Sequence, residues 1–298
     1  MNLMGGLTRE IKVDKFDLRH TVESAQPLAF FGDIKKDGRG VTYSHKDSLI
    51  EAEQEEDGVL KYGSYGGLCG SELRQEIETR FRLHDDMKNV YEAIGTDRFM
   101  NDAIKRFYGM RITKNDPWET TLCFLISQFN NVKRIRGIVK RLVSVYGEEH
   151  IFSAGGVKLK FNSFPTPEEI ARHSVKDLMT HGAGFRAKYI ESVAHACSES
   201  FDLDKFYNKK YCDAKEELME LDGIGDKVAD CILLFGYGKM EAFPIDTWVK
   251  RVMEKTYFKG GTKKTREISS FASERWGRHA GYAQQYIFWE GRSLGIGK

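Results

Sequence analysis

The spacing of apolar residues along the chain changes twice, near residue 70 and again near residue 110. Residues 11–68 carry short alternating runs, GRGVTYSH and GVLKYGSYGG among them, rich in Gly, Thr, Tyr and Phe. That alternation predicts a small antiparallel sheet with glycine turns. From SELRQEIETRFRL onward the apolar period becomes helical. Asp116–Pro117 opens a strong helix by a cap followed by proline, with Trp118, Leu122, Leu125, Ile126 and Phe129 on its buried face. Further helices are expected at about 131–146, 167–172, 174–180, 186–199, 213–220, 226–236, 246–257, 265–276 and 280–290. The expected fold is therefore α+β: a β-rich N-terminal domain over residues 1–105, then an all-helical part over 106–298.

Composition narrows the class. The chain has 298 residues, 41% hydrophobic and 30% charged, as in ordinary water-soluble globular proteins. Its net charge of +2 means that a polyanionic partner must be met by local patches. No apolar run approaches the roughly 18 residues of a membrane span, and the N-terminus lacks the layout of a secretory signal. The expectation is a monomer that is not secreted, cytoplasmic in a prokaryote or nuclear in a eukaryote. The five cysteines are odd in number and form no CxxC pair, which argues against a disulfide framework or a cysteine-built metal site.

The candidate chemistry gathers at LDGIGDKVAD and at PIDTWVKR, which follows it. The first, within a motif at about 218–236, has the form helix, Gly-Ile-Gly turn, helix. Gly223 and Gly225 leave backbone N–H groups uncovered, and these with the next helix N-terminus can seat a phosphate oxygen. Such a contact holds a duplex without reading its sequence. A plain corner between helices has the same form. Lys227 lies in the first helical turn, where an ammonium is disfavoured and a neutral amine would be a nucleophile. A solvated lysine or a phosphate clamp is the simpler alternative. Asp246 fits a helix N-cap, and a carboxylate oriented by capping can also face a developing positive charge. Cys231 lies one turn beyond Lys227 on the same face.

These residues resemble the helix-hairpin-helix DNA glycosylase superfamily with its Gly-Pro-Asp-like loop, and within it the 8-oxoguanine DNA glycosylase/AP lyases. DPWETTLCFLISQFNNVKRIRGIVKRLVSVYG, GAGFRAKYI, AGYAQQYIFW and FDLRHTVESAQPLAFF extend the likeness over nearly the whole chain. The resemblance implies two helical lobes behind the sheet domain, and double-stranded DNA containing oxidised guanine as partner. It also implies no cofactor and no metal; the iron–sulfur loop of some members is missing, since no cysteine follows Cys231. By the same resemblance Lys227 attacks C1′ of an extruded nucleotide and forms a Schiff base that undergoes β-elimination, assisted by Asp246. Extrusion is required because a base inside a duplex cannot be reached. Cys231 and Phe288 would sandwich the oxidised purine, Gln284 would read its Watson–Crick edge, and Ala25 and Phe235 would complete the pocket. Asn131, Arg134, Arg186 and Phe185 would surround the gap and the unpaired cytosine. Taken alone, Phe288 would more readily be core, since an aromatic at helical spacing usually is, Asn130–Asn131 could be a helix join, and the basic run 131–141 a solvated face rather than a phosphate-facing one.

The chain departs from the family at three positions. Ala25 stands where a glycine is usual, Phe129 replaces an asparagine, and Phe185 replaces a tyrosine wedge, so the family's opposing-base preference does not simply carry over. Two other functions compete with the bifunctional enzyme. One is a monofunctional glycosylase for alkylated purines, which needs Asp246 but no lysine. The other is a non-catalytic helix-hairpin-helix DNA-binding module, which leaves Asp246 and the Gln284/Phe288 helix face unexplained.

Overall fold

A computed structural model of the chain describes residues 9–55, 58–154 and 157–296. Five strands, β1 (Arg9–Lys12), β2 (Asp33–Ile34), β3 (Gly40–His45), β4 (Ser48–Glu53) and β5 (Val59–Tyr65), form an antiparallel sheet in the order β1-β5-β4-β3-β2. Alternation decides which face is buried. Val41 and Tyr43 on β3 oppose Ala52 and Ile50 on β4, while Tyr62 on β5 opposes Ala52. All five are nearly inaccessible and share a core with Ile77 and Phe81, at the end of helix Gly70–Arg80. Two short helices, Leu18–Glu23 and Leu28–Phe31, interrupt what the residue pattern gives as sheet. Asp17 starts the first by accepting from His20 N. Neither is long enough to show a full helical period.

Behind the sheet layer lies a larger helical core that includes Met87, Ile94, Met100 and Met110 as well as the helices beyond Asp116. The expected helices form, with ends shifted by at most a few residues. Pro117–Ser127 begins in a capping box between Asp116 and Glu119, Val132–Tyr146 is capped by Asn131, and Thr247–Tyr257 is capped by Asp246. The stretch expected as one helix at 226–236 is α-helical over Asp226–Ile232 and loosens into a π-turn at Leu233–Tyr237.

Within this part, β6 (Glu149–Ala154) and β7 (Val157–Asn162) form an unexpected antiparallel hairpin. His150, Phe152 and Phe161 stack along one of its faces. The two layers are pinned together by Arg80, which is 1% exposed. Its guanidinium donates to Glu76 at 2.8 Å, and to Asn115 and Glu119 at 3.1 Å each. Among the described residues no helix is long and apolar enough to cross a membrane.

Candidate active site

The hairpin forms for a local reason. Gly223 has φ 78, and a Cβ there would lie 2.5 Å from the Tyr189 ring, so glycine alone fits. A Cβ on Gly225 would meet nothing within 4 Å, which leaves that stretch of backbone open to a ligand. Helix Asp226–Ile232 then carries Lys227 and Cys231 into a cavity of about 850 Å³. The walls come from the 23–35 stretch, the Pro117–Ser127 and Val132–Tyr146 helices, the loop before Asp246, and the last helix, Ala280–Ser293. Lys227, Cys231, Phe235, Asp246, Gln284, Phe288, Ala25 and Asn131, singled out from separate parts of the sequence, all line it.

Lys227 Nζ donates to Ser127 Oγ at 3.2 Å and lies 4.9 Å from the Phe124 ring centre. Both neighbours accept positive charge gently, one through a lone pair and one through a π face, and neither is a carboxylate that would lock the amine in an ion pair. Burial pushes the Cys231 thiol up to about 12, against the pull of Lys227 beside it, so the thiol is neutral and serves as a wall rather than a competing nucleophile. Asp246 accepts from Val249 N at 2.7 Å, so it is a helix cap and a cavity-lining carboxylate at once. Gln284 is 6% exposed; its Nε2 donates to the Pro244 carbonyl, and its Oε1 is buried without a hydrogen-bond partner. Phe235 stacks on Phe124 at 5.5 Å and backs the wall.

Ala25 holds φ 59, a conformation that favours glycine. Its neighbours enforce it. Gln26, fully buried, donates from Nε2 to the Arg111 carbonyl at 2.7 Å and to Ser24 Oγ at 2.8 Å, and its Oε1 accepts from Thr113 N at 2.6 Å. Gln285 donates to the Ser24 carbonyl from the last helix.

Other expected site residues are placed differently. Asn131 caps the following helix by accepting from Arg134 N, and Asn130 donates to the Ile126 carbonyl, so both amides join helices as well as line the cavity. Arg134 and Phe185 stand outside the cavity lining, as do Gly223 and Gly225. Arg186, expected around an unpaired base, is instead buried, with its donors on the carbonyls of Gln128, Phe129 and Ala183. In the basic run 131–141, Arg136 donates to the Gly32 carbonyl, Lys140 pairs with Asp33, and Arg141 donates to the His181 carbonyl. Those three dock protein against protein, leaving Lys133 and Arg134 as the exposed pair near the cavity mouth. Ser127, Phe124, Trp248 and Arg292 also line the cavity and were not anticipated. Arg292 lies 5.5 Å over both the Trp248 and Phe288 rings.

A helix-hairpin-helix carrying an amine, with a helix-capping carboxylate on the same cavity, has clear relatives. Residues 122–278 match the HhH-GPD superfamily of base excision DNA repair proteins, and residues 10–121 match the N-terminal domain of 8-oxoguanine DNA glycosylases. The chain is 31% identical to a probable N-glycosylase/DNA lyase of Methanothermobacter thermautotrophicus, over 81% of this chain and 82% of that one. It is 29% identical to the N-glycosylase/DNA lyase of Saccharomyces cerevisiae, over 80% of this chain and 72% of the other. The Clostridium acetobutylicum 8-oxoguanine glycosylase/lyase, solved with double-stranded DNA containing cytosine opposite 8-oxoguanine, superposes with a TM-score of 0.86 at 25% identity, covering 98% of this chain and 99% of its own. The chain belongs to the HhH-GPD superfamily of base excision DNA repair proteins. Within it, the two matched domains and these relatives make it a DNA repair enzyme of the N-glycosylase/DNA lyase class.

Proposed function

We propose that the enzyme excises 8-oxoguanine from duplex DNA and cleaves the strand at the resulting site. The observation that carries this is the convergence of Lys227, Asp246, Cys231, Gln284 and Phe288 on one cavity. The nucleotide is extruded into that cavity. Lys227 Nζ attacks C1′, the C1′–N9 bond breaks, and its electron pair leaves with the base, which takes up the proton that Nζ gives up on forming the new bond. The Nζ lone pair then expels O4′, which takes the C1′–O4′ electron pair and a proton, leaving an iminium between C1′ and Nζ. Removal of a C2′ proton then expels the 3′ phosphate, with cleavage of the C3′–O bond. Asp246, on the same cavity as Lys227, stabilises the cationic sugar with its negative charge. Phe288 and Cys231 wall the base, and the unpartnered Gln284 Oε1 can accept from its edge. A monofunctional alkylpurine glycosylase would leave the lysine in the cavity without a task.

Asp246→Asn tests this reading. Asparagine also caps helices well, so the fold should persist while base release falls by about a hundredfold or more. A normal rate of base release from 8-oxoguanine duplexes, accompanied only by a lower melting temperature, would reduce Asp246 to a cap and contradict the proposal.

A further inference from the structure

Ser127 is the last residue of the helix Pro117–Ser127, half-buried on the cavity wall, and no motif marks it. Its hydroxyl proton is committed: Oγ donates to the Phe124 carbonyl, one turn back, at 2.8 Å. Toward any other group the oxygen can act only as an acceptor. Lys227 Nζ, a hundred residues further along the chain, donates to it at 3.2 Å.

The other carbonyls of this helix end already have donors. Gln128 donates to Leu125 at 3.3 Å, Asn130 donates to Ile126 at 3.1 Å, and Arg186 covers the carbonyls of Gln128 and Phe129. The groups that a helix C-terminus usually leaves open to a cation are thus engaged, and the serine oxygen is what meets the amine. The Phe124 ring, 4.9 Å from Nζ, is itself held by stacking on Phe235 at 5.5 Å.

In the form that attacks, an amine has two N–H bonds and one lone pair. With one N–H held on Ser127, rotation about Cε–Nζ leaves the lone pair two staggered positions instead of three. Restricting the amine in this way brings it closer to the geometry needed for attack on a bound C1′. After attack, Nζ has given up one proton and keeps a single N–H through ring opening to the iminium. That N–H carries positive charge, and a hydrogen bond from an ionised donor is roughly twice as strong as a neutral one. The same contact therefore strengthens as the charge forms, which is the condition for lowering a barrier rather than merely binding.

We propose that Ser127 is the positioning residue of the lysine: it aims Nζ at C1′ and then holds the iminium N–H. It serves every step that passes through Lys227 and none that reads the base, and no bond to Ser127 itself forms or breaks. This rests on the Lys227 reaction proposed above.

The test is single-turnover cleavage of two duplexes by wild type, Ser127→Ala and Ser127→Thr, one duplex carrying 8-oxoguanine opposite cytosine and the other a preformed abasic site. Borohydride trapping, duplex affinity and melting temperature are measured alongside. Ser127→Ala should lower both cleavage rates, and the initial rate of trapping, by a similar factor of about tenfold to a hundredfold. Its duplex affinity and melting temperature should stay close to wild type. Ser127→Thr should recover most of the loss, because threonine keeps the oxygen and also bonds a carbonyl one turn back in a helix. Unchanged rates in Ser127→Ala overturn the inference. So does a loss confined to the 8-oxoguanine duplex, which would set Ser127 against the base, or a loss that threonine does not relieve. Wild type that cleaves the abasic duplex but not the 8-oxoguanine duplex overturns the proposed lesion alone, and the abasic duplex then decides the role of Ser127. Wild type that cleaves and traps neither overturns both.

Discussion

Ala25 and Phe129 share an unusual conformation beside the same cavity, at φ 59 and φ 46, and each is held there by a buried polar side chain from the surrounding structure. For Ala25 the clamp is Gln26, and for Phe129 it is Arg186. What differs is the part each strained residue presents. The Ala25 side chain is one methyl, so the feature that its turn fixes is the main chain at the cavity wall. Phe129 turns a whole ring into solvent, and there the side chain is the feature fixed. Strain of about 1–2 kcal/mol per site is tolerable because the clamps are themselves fully hydrogen-bonded and buried. A substitution can therefore relieve the same strain at both sites with opposite effects on function.

Removing a clamp should have the largest effect. Gln26→Ala leaves Thr113 N and the Arg111 carbonyl without their buried partner, and should destabilise the protein by about 3 kcal/mol in chemical denaturation. Activity of the surviving folded fraction should fall more on 8-oxoguanine than on a preformed abasic site, since only an intact base meets the Ala25 wall. Arg186→Ala should cost about 2 kcal/mol and lower excision by about tenfold. Arg186→Lys should not rescue it, because one ammonium cannot span the three carbonyls that the planar fork holds. If lysine restores full activity, the clamp geometry is irrelevant.

A buried clamp away from the cavity sharpens the contrast, because its strain is electrostatic. Burial lifts Glu119 to about 7 despite Arg80 beside it, while Glu76, which also faces Arg80, is held below the usual carboxylate range. The folded state thus holds the Glu119 proton more tightly than the unfolded chain, whose value is near 4.5. Its contribution to stability is present below about pH 4.5 and is lost as pH rises through about 7. Thermal unfolding from pH 5 to 8 should show wild type losing stability relative to Glu119→Gln, which keeps the capping box. Parallel curves would contradict the assignment.

The smallest effects separate the two strained sites. Ala25→Gly and Phe129→Gly should each recover up to about 1 kcal/mol of strain, less the added entropy of the unfolded chain. Ala25→Gly should keep its excision rate and Phe129→Gly should lose it. Loss of rate in both would mean that Ala25 acts through its methyl group.

The hairpin and the Asp246 cap were legible in the sequence because each depends on local spacing or on a motif, and eight residues of the cavity lining were named from these and from the family resemblance. Ser127 and Phe124 were not, since their contacts with Lys227 join positions about a hundred residues apart. Arg186 was visible as a residue but not in its orientation: sequence does not say whether a guanidinium faces a ligand or the backbone. The hairpin of β6 and β7 did leave a signal, two alternating runs around Gly155–Gly156, hidden among long helical stretches. The short helices at Leu18–Glu23 and Leu28–Phe31 left almost none, because they begin by side-chain capping and tertiary packing rather than by a periodic apolar face.

The account turns on Lys227 as the nucleophile. Borohydride reduction during reaction with an 8-oxoguanine duplex should trap a covalent protein–DNA adduct, mapped by peptide mass spectrometry to Lys227. Lys227→Gln should bind the same duplex with similar affinity and trap none. Efficient trapping by Lys227→Gln, or an adduct on another residue, would contradict the central claim.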